Sequence, residues 1–71
     1  MANNVLIFGK DDCPYTFKAR KDFTGRNIPF DYINVAGNPV ALKRMLEFSN
    51  GKRNVPIIVE GKKVTIGFGG T

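Results

Sequence analysis

A lone cysteine stands where an apolar segment gives way to a helical pattern. Residues 5–8 form a short continuous apolar run, which is typical of a strand covered on both faces and therefore central in a sheet. Four residues further on, Cys13 is followed by Pro14. Proline suits the first helical position because its fixed φ and missing N–H cost nothing there. The chain is thereby constrained to a strand, a turn and a helix, with Cys13 at or next to the helix N-cap.

This position favours a reactive thiol. The sulfur of an N-cap cysteine faces unpaired backbone N–H groups and the positive end of the helix dipole, and both favour the thiolate. Lys10 adds a positive charge, whereas Asp11 and Asp12 oppose the shift if they face the sulfur, and we expect them to point to solvent. Nucleophilic cysteines in such places have a pKa lowered from about 8.5 to as low as ~3.5. The alternative is a small buried hydrophobe, the usual role of a free cysteine. Polar neighbours and the strand-to-helix turn favour the reactive role for Cys13.

The composition excludes several other sites. The chain has 71 residues, one cysteine and no histidine, so one chain cannot build a Cys/His zinc site or a Cys–His protease pair, and we predict no metal site. An internal disulfide is excluded by the same count. No stretch approaches the ~20 apolar residues of a membrane span, and the first residues lack the features of a signal peptide. We predict one cytoplasmic domain over residues 1–71, with no membrane partner.

Apolar periodicity predicts the elements of the first half. Tyr15, Ala19 and Phe23 recur at helical spacing, and Gly25 or Asn27 is expected to end that helix. Residues 30–35 alternate and predict an outer strand, with the even-numbered residues on one face and the odd-numbered residues on the other.

The second half predicts a helix and a hairpin. Asn38 is the expected cap and Pro39 the first helical residue, and residues 49–51 end the helix. Its expected apolar side comprises Val40, Leu42, Met45, Leu46 and Phe48. Residues 56–60 and 63–67 predict two strands around a Glu-Gly-Lys-Lys turn.

Three motifs occur in order along the chain. Lys-x-x-Cys-Pro-Tyr spans residues 10–15, Arg-Asn-Val-Pro spans residues 53–56, and a glycine pair occupies residues 69–70. They resemble the active site, the Thr-Val-Pro loop and the glycine pair of glutaredoxins, small thiol oxidoreductases that use glutathione. Thr16 stands where the family usually has a second active-site cysteine.

The resemblance implies an α/β fold, the minimal thioredoxin-like arrangement βαβ-α-ββ. A four-stranded mixed sheet with a right-handed crossover is expected, without the family's usual last helix. It also implies a cis bond before Pro56, in a loop that faces Cys13. Because the absent helix normally covers one sheet face, we expect open apolar surface there. This predicts either weak homodimerisation of the 71-residue form or further C-terminal residues in the natural protein.

The resemblance also implies a glutathione-dependent thiol-disulfide oxidoreductase, active in electron transport and cell redox homeostasis. Cys13 is the expected nucleophile on glutathione mixed disulfides. A second glutathione resolves the intermediate in a monothiol mechanism, because Thr16 offers no thiol. Lys10, Pro14 and Thr16 are expected to stabilise the thiolate. The glutathione-binding residues implied are Lys10, Tyr15, Arg53, Asn54, Val55, Pro56, Gly69 and Gly70, with Asn54 departing from the family's threonine.

Other functions stay open. One-cysteine glutaredoxins can hold a [2Fe–2S] cluster between two subunits and two glutathiones, although such carriers have Gly-Phe-Ser after the cysteine and this chain has Pro-Tyr-Thr. A thioredoxin-like electron donor to a partner protein is a further alternative. The net charge of +5 fits either a solubilising surface or attraction of anionic glutathione. A nucleic-acid partner is not expected, because the basic residues are dispersed over the chain.

Overall fold

The computed structural model describes residues 5–68. Six elements follow one another: β1 (Val5–Gly9), α1 (Pro14–Gly25), β2 (Asp31–Asn34), α2 (Pro39–Ser49), β3 (Ile57–Glu60) and β4 (Lys63–Ile66). The predicted βαβ-α-ββ order is confirmed, and each strand and helix lies within two residues of its predicted bounds.

The four strands form one mixed sheet in the order β2-β1-β3-β4. β1 runs parallel to β2 and antiparallel to β3, which pairs antiparallel with β4. The apolar run at residues 5–8 is therefore interior, and the alternating β2 lies at an edge, as predicted. Because α1 connects the parallel strands β1 and β2, its N-terminus begins at the end of an interior strand.

The core is divided between the two faces of the sheet. On one face Ile7 packs with Ala19 and Phe23 of α1. On the other face Phe8 packs with Met45 of α2. Residues 30 and 32 join the α1 face and residues 33 and 35 the α2 face, so the predicted alternation around β2 is confirmed.

Both helices start at the predicted proline. Asn38 precedes α2, and its side chain accepts a hydrogen bond from the Ala41 N–H at 3.1 Å. Asn50 ends α2 in the left-handed region at φ 57°, a conformation that asparagine tolerates better than most residues. The start of α2 is therefore set by local sequence, and so is its end.

The buried stripe of α1 differs from the predicted one. Thr16, Ala19 and Phe23 are buried, whereas Tyr15 is only half-buried. The spacing 16, 19, 23 is as helical as 15, 19, 23. Thr16 faces the sheet because Gly9, at the end of β1, leaves space for it: a Cβ added to Gly9 would lie 2.5 Å from Thr16 Oγ1.

The buried stripe of α2 also corrects the prediction. Val40 was expected on the apolar side and is 72% exposed, while Ala41, Met45 and Ser49 form the buried row at four-residue spacing. Ser49 is tolerated there because its hydroxyl donates to the Lys52 carbonyl at 2.6 Å.

An open apolar face was expected where the family's last helix normally packs beside α1, and several side chains on that face of the sheet are covered. Val5 and Ile58 are buried in the cluster on that face, and Phe68 packs against it. The exposed large apolar side chains of residues 5–68 are Phe17, Val40, Phe48 and Ile66. Homodimerisation stays a prediction. No helix in the described part of the chain is long and apolar enough to cross a bilayer.

Candidate active site around Cys13

Cys13 is the N-cap residue of α1. Its backbone is extended, with φ −92° and ψ 118°. Its N–H donates to the Lys10 carbonyl at 3.2 Å, which closes a turn, and its C=O accepts from the Phe17 N–H at 3.1 Å as the first helical bond. The residue is partly exposed. The thiol therefore lies at the positive end of α1 and in reach of solvent.

The surroundings lower the pKa of Cys13 below its ordinary value. Partial burial opposes this and raises the pKa, but hydrogen bonding from the Thr16 side chain and from the Thr16 and Tyr15 N–H groups outweighs it. The thiol itself makes no side-chain capping hydrogen bond. Asp12 is exposed, as expected, and its charge nevertheless raises the pKa of Cys13. A contribution from the Lys10 charge stays a prediction.

Thr16 is buried against the turn at residues 10–13, called here the thiol turn. It is 1% exposed, and its Oγ1 accepts a hydrogen bond from the Lys10 N–H at 3.4 Å. With a lone pair so engaged, the hydroxyl hydrogen is available to the Cys13 sulfur. Gly9 makes this arrangement possible, since a side chain there would overlap Thr16. The sequence interpretation missed Gly9; its position at the last residue of a buried strand before the turn was the available signal.

A groove lies beside the thiol turn, with a volume of about 350 Å³. Its lining residues are Lys10, Val35, Ala36, Gly37, Leu42, Met45, Arg53 and Val55. The structure thus brings three of the predicted glutathione-binding residues, Lys10, Arg53 and Val55, to one concave surface. The lining combines two cations with apolar side chains, which suits an anionic ligand. Two other grooves of similar size are lined by residues between 17 and 30 and contain no predicted site residue.

The loop before β3 supplies backbone groups to the same region. The Val55–Pro56 peptide bond is cis, as the resemblance implies. Pro56 is buried, and its carbonyl accepts from the Gly67 N–H at 2.8 Å. Within residues 5–68 no hydrogen bond uses the N–H or C=O of Val55. These groups are available for strand-like pairing with a peptide.

Three further predicted site residues, Pro14, Tyr15 and Asn54, do not line the groove. Pro14 is exposed at the first helical position, and Asn54 is exposed in the loop. The Tyr15 ring does not line the groove; the Lys18 ammonium nitrogen lies 5.3 Å from its centroid. Gly69 and Gly70 lie outside the described residues. The roles of these residues in glutathione binding stay predictions.

The sheet order, the cis-proline loop and a thiol at the N-terminus of α1 define a thioredoxin-like redox protein. The glutaredoxin family model matches residues 5–64. The chain belongs to the glutaredoxin family.

Solved structures share this fold. A glutaredoxin from Archaeoglobus fulgidus superposes with a TM-score of 0.84 at 21% identity, over 94% of this chain and 77% of that one. NrdH-redoxin from Escherichia coli, a glutaredoxin-like protein with a thioredoxin-like activity profile, gives 0.78 at 25%, over 92% of this chain and 83% of that one. Buckwheat glutaredoxin in complex with glutathione gives 0.75 at 25%, over 92% and 61%. The search of curated proteins found no match.

Proposed function

We propose that this protein is a thiol-disulfide oxidoreductase that uses Cys13 as its only redox group and acts on glutathione mixed disulfides. The observation that carries the proposal is the lowered pKa of a partly exposed Cys13 at the N-terminus of α1. A lowered pKa increases the thiolate fraction at neutral pH, and the thiolate is the nucleophile in disulfide exchange.

The proposed reaction has two exchange steps. The Cys13 thiolate attacks the glutathione sulfur of a mixed disulfide; the substrate thiolate leaves and takes a proton from solvent. A glutathione thiolate then attacks the glutathione sulfur now bonded to Cys13, which forms oxidised glutathione and regenerates the Cys13 thiolate. A hydroxyl cannot replace a thiol in the second step, so Thr16 makes an external thiol necessary.

The same donors act in both steps. Hydrogen bonding from Thr16 and the Tyr15 N–H stabilises Cys13 as the attacking thiolate and again as the leaving thiolate. A leaving thiol of lower pKa departs faster. Cys13 is the leaving group in the second exchange step. Its lowered pKa therefore assists the formation of oxidised glutathione as well as the first attack on the mixed disulfide.

The groove residues are proposed to hold glutathione. Lys10 and Arg53 on the groove offer positive charge to its two carboxylates, and the unpaired N–H and C=O of Val55 can bond its peptide unit. Tyr15, Asn54, Pro56, Gly69 and Gly70 complete the proposed contact set. The buckwheat relative, which is similar in fold at 25% identity, was solved as a complex with glutathione, and this supports the assignment. Glutathione chemistry requires a reducing compartment, so a cytoplasmic location is part of the proposal.

A thioredoxin-like electron donor is the second candidate. At the same 25% identity the chain spans 83% of NrdH-redoxin and 61% of the buckwheat glutaredoxin, and the apolar groove lining would also suit a protein segment. One cysteine in 71 residues cannot store two electrons as an internal disulfide. Even this function would pass through a mixed disulfide with an external thiol, which favours glutathione as the partner.

Turnover of a glutathionylated peptide separates the two candidates. With glutathione as the only reductant, we expect oxidised glutathione to form, mass spectrometry to find one glutathione on Cys13, and Cys13→Ser to abolish both. With NADPH and thioredoxin reductase as the only reductants, we expect no turnover. Turnover with the reductase and none with glutathione would support the electron donor instead.

A further inference from the structure

Asp11 is held by two side chains from other elements. The Tyr32 hydroxyl on β2 donates to the Asp11 carboxylate at 2.8 Å, and Arg20 Nη1 on α1 lies 4.0 Å from the same oxygen. The guanidinium carbon of Arg20 lies 4.0 Å from the centroid of the Tyr32 ring. The three side chains contact one another pairwise, so the turn before Cys13 is tied to both α1 and β2.

The neighbouring carboxylate is not held in this way. Within residues 5–68, Asp12 makes no hydrogen bond and no ion pair. Its charge raises the pKa of the Cys13 thiol. Two adjacent carboxylates of the same turn are therefore held differently: Asp11 by Tyr32 and Arg20, and Asp12 by neither.

We propose that Tyr32 and Arg20 are positioning residues for the thiol, which hold the Asp11 carboxylate on the β2 side of the turn and so keep its negative charge from opposing the Cys13 thiolate. The inference rests on Cys13 being the reactive thiol of the proposed function. It concerns two residues that have no part in the exchange steps or in the proposed glutathione groove.

The geometry explains why both partners are present. Arg20 attracts the carboxylate and packs over the ring that carries the donor hydroxyl, so the cation holds Asp11 and Tyr32 together. The pKa of Tyr32 is raised to about 12, first by burial and then by the hydrogen bond and charge of Asp11. Tyr32 therefore keeps its donor proton throughout the range in which Cys13 titrates.

Other groups near the turn set the background against which the effect is measured. The titratable and charged residues on the turn, on α1 and β2 and on the groove are Lys10, Asp11, Asp12, Tyr15, Lys18, Arg20, Lys21, Asp22, Asp31, Tyr32 and Arg53. Tyr32→Phe leaves all of these charges in place. Its effect, compared with the same substitution in the Asp11→Asn background, therefore reports on the position of the Asp11 charge.

The test is the pH dependence of the alkylation rate of Cys13 by iodoacetamide. Tyr32→Phe removes the hydroxyl and keeps the ring under Arg20. We expect the apparent pKa to rise and the rate on the acidic side of the curve to fall about two- to threefold, the effect of one like charge roughly 6–10 Å away in water-like surroundings. In the Asp11→Asn background the same substitution should leave the rate unchanged, because residue 11 then carries no negative charge that could approach the sulfur.

Substitutions of Arg20 distinguish the proposed effect from a loss of folding in Tyr32→Phe. Arg20→Gln should lower the rate more in the wild-type background than in the Asp11→Asn background, because only the former retains a carboxylate to be displaced, and Arg20→Lys should lower it less, with the fold checked by circular dichroism. An unchanged profile in Tyr32→Phe and Arg20→Gln, or an equal loss in the Asp11→Asn background, would overturn the proposal. The wild-type profile separates this outcome from failure of the proposed function: if wild-type Cys13 itself titrates at or above the ordinary value, the proposed function fails first.

Discussion

The side chain of Thr16 lowers the pKa of Cys13 while its Oγ1 accepts a hydrogen bond from the Lys10 N–H at 3.4 Å. One buried hydroxyl therefore serves both the closed turn and the thiolate. In the proposed monothiol mechanism Thr16 cannot resolve a disulfide, and it stabilises the Cys13 thiolate instead.

Removing the Thr16 hydroxyl should raise the pKa of Cys13. Thr16→Val keeps the shape of the buried side chain and loses the donor, so we expect an increase of about one unit, since a hydrogen bond to a charged group contributes roughly 1.5 kcal/mol. Thr16→Ser retains the hydroxyl and is the matched control. The measurement is the thiolate absorbance against pH. Equal titration of the two variants would contradict the role of the hydroxyl.

Gly9→Ala should destabilise the protein by about 1–3 kcal/mol, the usual range for overpacking. The added Cβ would lie 2.5 Å from Thr16 Oγ1 and would also overlap its Cγ2. Gly25→Ala is the control, because a Cβ at that position meets nothing within 4 Å. Urea unfolding of both variants gives the comparison. If Gly9→Ala is as stable as Gly25→Ala, the close packing of Gly9 against Thr16 is wrong.

Asp12→Asn should lower the pKa of Cys13 further. The Asp12 charge raises that pKa, and its removal leaves the helix donors unopposed by a neighbouring anion. The alkylation rate below the midpoint should increase. Glu47→Gln removes one negative charge on α2 without touching the turn and should leave the rate unchanged. A similar increase in both variants would indicate a general effect of net charge.

The lowered pKa of Cys13 also predicts how stability depends on pH. A group whose pKa is lower in the folded state stabilises that state above its unfolded pKa, about 8.5 for cysteine. The contribution is lost as pH falls through the folded-state value. The free energy of unfolding of the wild type minus that of Cys13→Ser should therefore increase as pH rises from the folded-state pKa to about 8.5, and level off above it. A difference that stays flat or falls would contradict the lowered pKa.

Arg53→Ala should raise the KM for glutathione about two- to fivefold, as expected for an exposed ion pair worth less than about 1 kcal/mol. The alkylation rate of Cys13 should change little, because Arg53 lies on the groove and the hydrogen bonds that lower the pKa of Cys13 come from Thr16 and Tyr15. Lys63→Ala, at the exposed start of β4, is the control. An equal KM in all three proteins would argue against the groove as the glutathione site.

Sequence features that involve only a few adjacent residues predicted the strands and helices correctly. The apolar run at residues 5–8, the prolines that start both helices and the Asn38 cap act locally, and the structure has the corresponding elements at those positions. The burial of Thr16 in place of Tyr15 depends on the absence of a side chain at Gly9, seven residues earlier, which helical periodicity does not register.

Contacts between distant segments were beyond the sequence interpretation. Asp11 and Tyr32 are 21 residues apart and meet only because β1 and β2 pair in parallel. The convergence of Lys10, Arg53 and Val55 on one groove followed from the family resemblance. The apolar residues that complete the groove, such as Leu42 and Met45, were predicted only as one side of α2.

The pH titration of Cys13 in the wild-type protein tests the central claim most directly. Thiolate absorbance and the alkylation rate should follow one curve, with a midpoint below the ~8.5 of an unperturbed cysteine, and Cys13→Ser should show neither signal. A midpoint at or above that value would contradict the assignment of Cys13 as an activated nucleophile.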